Sequence, residues 1–408
     1  MKVGFVGMGK LGLPVALAVE SKGHEVFGYD VNPAVYEYME NRDIPFQEEG
    51  LQPLLDAHQV KMCQTVGEVV ANSEIIFIPV QTPHDPKYEG TTRLPDDRKD
   101  FDYTWLKEAV KNVANECREQ KLGRTVVTIS TCLPGTYERE IKPLLNEYVD
   151  YAYSPQFIAM GTVLNDYLDP EFNLIGVESE RAADQLEEFF GTINNAPPIR
   201  TDITTAEGIK VSYNTWITAK TVIANLWGEI AEKTGMNFDD IFKAWSVSNK
   251  RLLSPRYMQA GMGDGGGCHP RDNIALSHIA EQVGLSHNIF EDLMLAREAT
   301  EEWHAQVAML EADVQKLPLT ILGRSFKPET NIETGSPAIL MANILAEHEY
   351  PFTHVESAET LPKGVYFLGT RNETYKTYQF TPGSVVIDPF GYIEEQEGVT
   401  VKRLGRVL

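Results

Sequence analysis

Residues 2–30 read KVGFVGMGKLGLPVALAVESKGHEVFGYD. An apolar run meets a glycine turn, a stretch of helical apolar spacing follows and stops at Gly23, and a second apolar run ends at Asp30. Strand, turn, helix and strand in that order predict the opening of a doubly wound dinucleotide-binding domain. Gly7, Gly9 and Gly12 form the G-x-G-x-x-G pattern, with Lys10 and Leu11 between the last two, and Asp30 falls 23 positions after Gly7. The first glycine makes the tight turn, the second lets a pyrophosphate approach the backbone, and the third lets helix pack on strand. Asp30 is placed to accept from the ribose hydroxyls. Its charge would repel a 2′-phosphate, so the expected cofactor is NAD rather than NADP.

The alternation continues beyond Asp30. SEIIFIPV (73–80) and RTVVTIS (124–130) read as buried parallel strands, each followed by a polar loop, VQTPHD and STCLPGT. In an open α/β sheet the ligand crevice lies beyond the carboxyl ends of the strands, which makes Thr82, Pro83 and Thr131 candidates for lining it. Turn prolines and loop-capping hydroxyls also account for such residues. The stretch 84–102 is rich in Asp, Pro and Gly and reads as an exposed loop, with a lid as the alternative.

A length of 408 residues predicts two or three domains, and 42% hydrophobic with 23% charged residues is a globular composition. The net charge of -23 argues against nucleic-acid or anionic-membrane partners, which need a basic face. No apolar run approaches the roughly 18 residues of a membrane span. Cys63, Cys117, Cys132 and Cys268 show no metal-like spacing, so no metal is expected, and reduced thiols in the cytoplasm are the economical reading.

In the middle of the chain, residues 205–235 show helical periodicity closed by Gly235. Lys210 and Asn214 are four apart, so their polar heads share one face, either converging on a ligand or simply solvated. Residues 261–272, GMGDGGGCHPRD, set Cys268 among flexible polar neighbours. Such a setting suits a covalent nucleophile, whereas free cysteines in general are more often buried apolar groups, and both readings stand on this segment alone. A third unit starts at LPLTILG (317–323), a buried strand followed by a loop holding Lys327, with further strands at GVYFLG (364–369) and SVVIDPF (384–390). It reads as a second, smaller doubly wound sheet without a glycine fingerprint.

Taken in order, GMGKLGLPVA, VQTP, STCLPGT, SPQF with Asp166 beyond it, IKVSYN, GMGDGGGCHPRD and LGRSFKPETN run nearly end to end. The chain with these motifs resembles the nucleotide-sugar 6-dehydrogenases, the family of UDP-glucose and GDP-mannose dehydrogenases. The resemblance implies an α/β protein with an N-terminal Rossmann NAD-binding domain (1–198), a central helical domain with a long connecting helix (199–300) and a C-terminal Rossmann-like nucleotide-sugar domain (301–408). It also implies a homodimer formed through the central helices.

The chemistry implied is oxidation of a nucleotide sugar at C6 to the uronic acid with two NAD per sugar, with UDP-hexose ahead of GDP-mannose. The alternatives are an enzyme that stops at the aldehyde and a non-catalytic nucleotide-sugar-binding homologue. By the resemblance, Cys268 is the nucleophile, Lys210 stabilises oxyanion charge, Asn214 orients the oxygen, and Asp272 and Thr131 act through a bound water. Lys327, Arg256 and Tyr257 would contact the substrate, as would Phe157 and Gly263, and Arg271 would lie by the cofactor. Several positions depart from the family pattern: Gln156 and Met160 stand where glutamates are usual, His269 and Arg271 replace an apolar residue and a lysine, and Thr334 stands in place of an arginine. The first of those glutamates is the usual general base, and the amide of Gln156 takes up no proton near neutral pH.

Overall fold

The computed structural model describes residues 1–83 and 85–406. They form two compact units, divided between Thr218 and Ala219.

The first unit is built on an eight-stranded sheet. Its elements run β1 (Lys2–Val6), α1 (Gly12–Ser21), β2 (Glu25–Tyr29), α2 (Ala34–Asn41), α3 (Leu51–Ala57), β3 (Lys61–Met62), α4 (Val66–Asn72), β4 (Ile75–Ile78), α5 (Thr104–Gln120) and β5 (Arg124–Thr128). β6 (Val149–Tyr153), α6 (Val163–Leu168), β7 (Asn173–Val177), α7 (Glu180–Ile193), β8 (Pro198–Thr201) and the long α8 (Ile203–Thr234) follow. The strand order is β3-β2-β1-β4-β5-β6-β7-β8, parallel throughout except between β6 and β7. The chain leaves β1 toward β2 on one side and returns to β4 on the other. A crevice therefore opens at the carboxyl ends of β1 and β4, the switch point where open α/β sheets bind ligands.

Alternation along the strands divides the core between the two sheet faces. Val3, Phe5, Ile75 and Phe77 pack on one side with Leu13 and Leu17 of α1, and Phe5 stacks on Phe77 at 5.3 Å. Val6, Ile76 and Ile78 pack on the other with Val69 of α4 and Val110 of α5. Both faces are covered, as a parallel sheet requires.

The second unit takes in the carboxyl part of α8, then α9 (Phe238–Ser246), α10 (His269–Val283) and α11 (Ile289–Gln315). Trp227 of α8 meets Trp245 at 6.4 Å and Phe290 at 6.1 Å, both edge-on, in a small helical core with Ile230 and Ala280. β9 (Leu319–Leu322), α12 (Pro337–Glu347), β10 (Phe352–Val355), β11 (Val365–Leu368), β12 (Val385–Asp388) and β13 (Thr400–Arg403) complete a wholly parallel sheet of order β10-β9-β11-β12-β13. The expected fold class is the one observed: a large and a small doubly wound sheet with helices between them in sequence. Among the described residues no helix is long and apolar enough to cross a membrane.

Candidate active site

The glycine turn between β1 and α1 has the geometry its sequence predicts. Gly7 adopts φ 113°, which glycine reaches without strain, and donates its N–H to the Tyr29 carbonyl at 2.8 Å. A Cβ on Gly12 would lie 2.1 Å from the Gly7 oxygen, so helix and strand approach too closely for any side chain. A Cβ on Gly9 would meet nothing within 4 Å, so this backbone is open to a ligand. Asp30, just past β2, accepts from the N–H of Met8 at 2.6 Å and of Asn32 at 2.7 Å. The acid is thereby tied to the turn it serves.

A cavity of about 430 Å³ lies over this turn, lined by Gly7, Gly9, Asp30 and Val31 and by Trp105, Glu108, Ala109 and Asn112 of α5. Open glycine backbone, an acid and an apolar wall in one hollow fit the pyrophosphate, ribose and base of a dinucleotide. The α5 face was missed from sequence, although its spacing of three, one and three places it on one side of a helix.

A second cavity of about 400 Å³ shares Gly9, Pro79, Val80 and Gln81 with the first and continues to Lys10, Leu11, Thr82, Thr131, Gln156 and Lys210. Here the loops after β4, β5 and β6 meet the second turn of α8. Thr82 Oγ1 donates to the Thr131 carbonyl at 3.2 Å, and Ser130 Oγ donates to the Val80 carbonyl. Glu207, one turn before Lys210, is buried and accepts from the N–H groups of Gly135 at 2.6 Å and Tyr137 at 2.7 Å. It ties α8 to the loop after β5. Burial raises its pKa, partly opposed by those N–H groups.

Lys210 is 7% exposed. Its Nζ donates to the Gln156 carbonyl at 2.9 Å and lies 5.0 Å from the Phe157 ring centroid. No carboxylate stands within ion-pair distance of it among the described residues, and burial pulls its pKa below the ordinary lysine value. Phe157 packs on Phe172 and Tyr213, each at 4.7 Å. The Gln156 amide donates to the Ser154 carbonyl at 3.0 Å. The loop beyond it is pinned from outside: Asp166 accepts from Ala159 N–H and Thr162 Oγ1, and Glu48 accepts from the N–H groups of Gly161 and Val163. Glu48 could not be singled out in the sequence, because it acts across more than 100 residues.

Asn214 lies one turn beyond Lys210, is exposed, and is not among the residues lining this cavity. Pro83 belongs instead to a separate hollow with Asp85, Tyr88 and Asp102. Of the loop 84–102, His84 lies outside the described residues; within the rest, Lys87 and Tyr88 both close onto Asp97 at 2.6 Å.

In the second unit Cys268 is exposed at the start of α10, whereas Cys63, Cys117 and Cys132 are buried. The Asp272 N–H donates to the Cys268 carbonyl at 2.8 Å, and Pro270 occupies the first turn, where no N–H is needed. Negative charge on the sulfur would face the positive end of the helix dipole. Arg271 and Asp272 are exposed and paired with each other at 3.1 Å. The preceding glycines lie against the loop after β9: a Cβ on Gly265 would sit 2.9 Å from the Phe326 oxygen, and one on Gly335 would sit 2.4 Å from the Gly266 oxygen. The structure thus brings the cysteine run and the Phe326–Lys327 loop together, with Lys327 Nζ 5.3 Å from the Phe326 ring. Thr334 approaches Gly267 in the same contact. His269 Nδ1 lies 3.3 Å from Asp264 and its ring 6.3 Å from that of Tyr257, which holds a left-handed φ of 65°. Arg256 is exposed beside it. The Gly263 N–H donates to Glu301 of α11 at 2.8 Å. No cluster of three or more His, Cys, Asp or Glu among the described residues is arranged for a metal ion.

Residues 1–194 match the family model of the UDP-glucose/GDP-mannose dehydrogenase NAD binding domain, and residues 204–297 match that of the central domain. The chain is similar to GDP-mannose 6-dehydrogenase of Pseudomonas aeruginosa, with 30% identity over 362 residues, 86% of this chain and 80% of that protein. It is 25% identical to a UDP-glucose 6-dehydrogenase of Bacillus subtilis over 421 residues, 99% of this chain and 87% of the other. Its fold is similar to that of the GDP-mannose dehydrogenase of Pseudomonas aeruginosa solved as a ternary complex, with a TM-score of 0.86, 24% identity, and coverage of 98% of this chain and 99% of that one.

Proposed function

The chain belongs to the UDP-glucose/GDP-mannose dehydrogenase family and uses NAD, and on that premise we propose that it oxidises the C6 hydroxyl of a nucleotide sugar to the carboxylic acid, consuming two NAD per sugar. The observation that carries this reading is the cavity in which the open backbone of Gly9 and the buried ammonium of Lys210 share one space with Thr131 and Gln156. NAD, when bound over Gly7, Gly9 and Asp30, supplies the hydride acceptor.

Loss of a hydride from C6 and a proton from its hydroxyl gives the aldehyde. The Cys268 thiolate then adds to the aldehyde carbon, forming the C–S bond, and the oxyanion produced takes up a proton to give the thiohemiacetal. A second hydride loss from that carbon, with loss of the hydroxyl proton, leaves a thioester. Water adds to it with loss of a proton, the C–S bond breaks with the Cys268 thiolate as leaving group, and the acid formed gives up its remaining proton to become the carboxylate. Lys210, a cation without a carboxylate partner among the described residues, stabilises the negative oxygen that forms during these additions, and Asn214 orients it. With an amide at Gln156, Asp272 and a water held with Thr131 are left to take the proton in thioester hydrolysis. Arg271 is assigned to the cofactor, and Phe157, Arg256, Tyr257, Gly263 and Lys327 to the sugar nucleotide.

The relatives named above lead to GDP-mannose as the first substrate to test, with UDP-glucose beside it, although the expectation from sequence put UDP-hexose slightly ahead. A cytoplasmic homodimer of three-domain chains, bounded at 198 and 300, completes the proposal. Exposed Trp216, Val222 and Ile223 along α8 support the self-association. The deciding experiment counts NADH formed per sugar consumed with GDP-mannose and UDP-glucose. Two per sugar supports full oxidation, one supports release of the aldehyde, and none despite tight binding supports a non-catalytic homologue. Full two-NADH turnover by Cys268→Ser at the parental rate would exclude the covalent route.

A further inference from the structure

Beneath the loop 261–268, α11 places a carboxylate that the proposed chemistry does not use. Glu301 is 0% exposed and His304, one turn on, is 2% exposed. Glu301 Oε1 accepts the Gly263 N–H at 2.8 Å, and its Oε2 meets His304 Nδ1 at 3.0 Å. That imidazole is its only ion-pair partner among the described residues. The ring is itself held between Trp303 at 5.0 Å and Phe367 at 5.5 Å.

A carboxylate and an imidazole this deep cost more to bury than an apolar pair of the same volume, so the fold as such gains nothing from them. What they do provide is a fixed acceptor under a glycine-rich loop that has no conformational preference of its own. The fit is close, since a Cβ on Gly263 would stand 2.9 Å from Glu301 Oε1. One turn earlier on α11, Arg297 donates to Asp264 Oδ1 at 2.9 Å and to the Gly335 carbonyl at 3.2 Å, so the helix grips two successive loop residues.

We infer that Glu301, oriented by His304, is a positioning residue that fixes the backbone of the 261–268 loop and through it the Cys268 sulfur for attack on the aldehyde. The inference rests on the reading of Cys268 as the nucleophile.

Hydrogen exchange, alkylation and kinetics on the full chain test it together. In Glu301→Ala, amide exchange in the 261–268 peptide accelerates about ten-fold and kcat falls about as much, the scale of one lost hydrogen bond to a charged acceptor, while KM for NAD stays within about two-fold. The rate of Cys268 alkylation by iodoacetamide shifts in the same variant. Glu301→Gln, whose amide oxygen accepts the same N–H, restores all three readouts. His304→Phe keeps the core volume and the carboxylate but removes its orienting bond, and gives a smaller acceleration of the same peptide. Parental exchange in both Glu301→Ala and His304→Phe overturns the inference, as does faster exchange with kcat unchanged. Failure of the nucleophile reading is seen separately, in a Cys268→Ser variant that turns over normally. Exchange and alkylation need no turnover and judge the loop clamp even then.

Discussion

Lys210 Nζ donates to the main-chain carbonyl of Gln156 at 2.9 Å, so the buried cation engages the backbone of the residue whose side chain offers an amide to the cavity. The ammonium and the amide line the same cavity as Thr131.

Gln156→Glu returns a proton acceptor to that cavity. Hydrolysis of the thioester is expected to quicken by about ten-fold or more, the lower range for a positioned general base. The check is the fraction of Cys268 carrying an acyl group at steady state, measured by intact-protein mass spectrometry. An unchanged fraction would assign the proton to another group. The new carboxylate also draws the Lys210 pKa back toward its ordinary value, because a neighbouring anion favours the charged amine.

Lys210→Met separates stability from activity. Burial lowers the folded-state pKa of Lys210 below the 10.5 of a free lysine, so the unfolded chain holds this proton to higher pH than the folded one. The resulting penalty is full below the lowered pKa and fades as pH rises from there through 10.5. Removing the amine should therefore stabilise the fold at pH 7 by about 1 kcal/mol, the usual scale when a functional strain is relieved, with a smaller gain at high pH. Turnover should fall by about a hundred-fold or more with the loss of oxyanion stabilisation. Urea titrations at neutral and alkaline pH read the first effect, and steady-state rates read the second.

Iodoacetamide at neutral pH should label Cys268 alone. Burial raises the thiol pKa of Cys63 and Cys132 and pushes that of Cys117 up to about 11, so all three stay protonated as well as covered. Peptide mapping against time gives the site and the rate. Comparable labelling at any buried cysteine would contradict the burial described.

Asp30→Ala removes the acceptor of the Met8 and Asn32 N–H groups together with the acid proposed to accept from the ribose. The Kd for NAD should rise by about ten-fold or more, as for one lost charge-assisted hydrogen bond, and the preference for NAD over NADP should shrink. Trp105 lines the same cavity, so quenching of its fluorescence on titration with each cofactor is the direct readout.

Much of this site was legible before any coordinates. The Gly7, Gly9, Gly12 and Asp30 pattern carries its own geometry, because turn, helix and acid lie within one βαβ unit and their contacts are local in sequence. The run to Cys268 and the loop at Lys327 were each legible as segments. Their contact through Gly265, Gly266 and Phe326 was not, since nothing local links positions some 60 residues apart. Glu48, Glu207 and Glu301 were silent for the same reason: an ordinary glutamate in a helix or loop becomes a latch only when folding brings it against a distant N–H group.

By itself, then, the sequence determined the family, the dinucleotide turn and the groups proposed to react, because those are written in residue type and short spacing. Only the tertiary structure decided how they are held. It left Asn214 exposed outside the cavity while burying Lys210 on the same helix, and it set Cys268 in the open at the head of α10 with a buried carboxylate beneath its loop. Burial and long-range hydrogen bonds are properties of the packed chain, and they tie a run of glycines to α11 at Gly263 and Asp264.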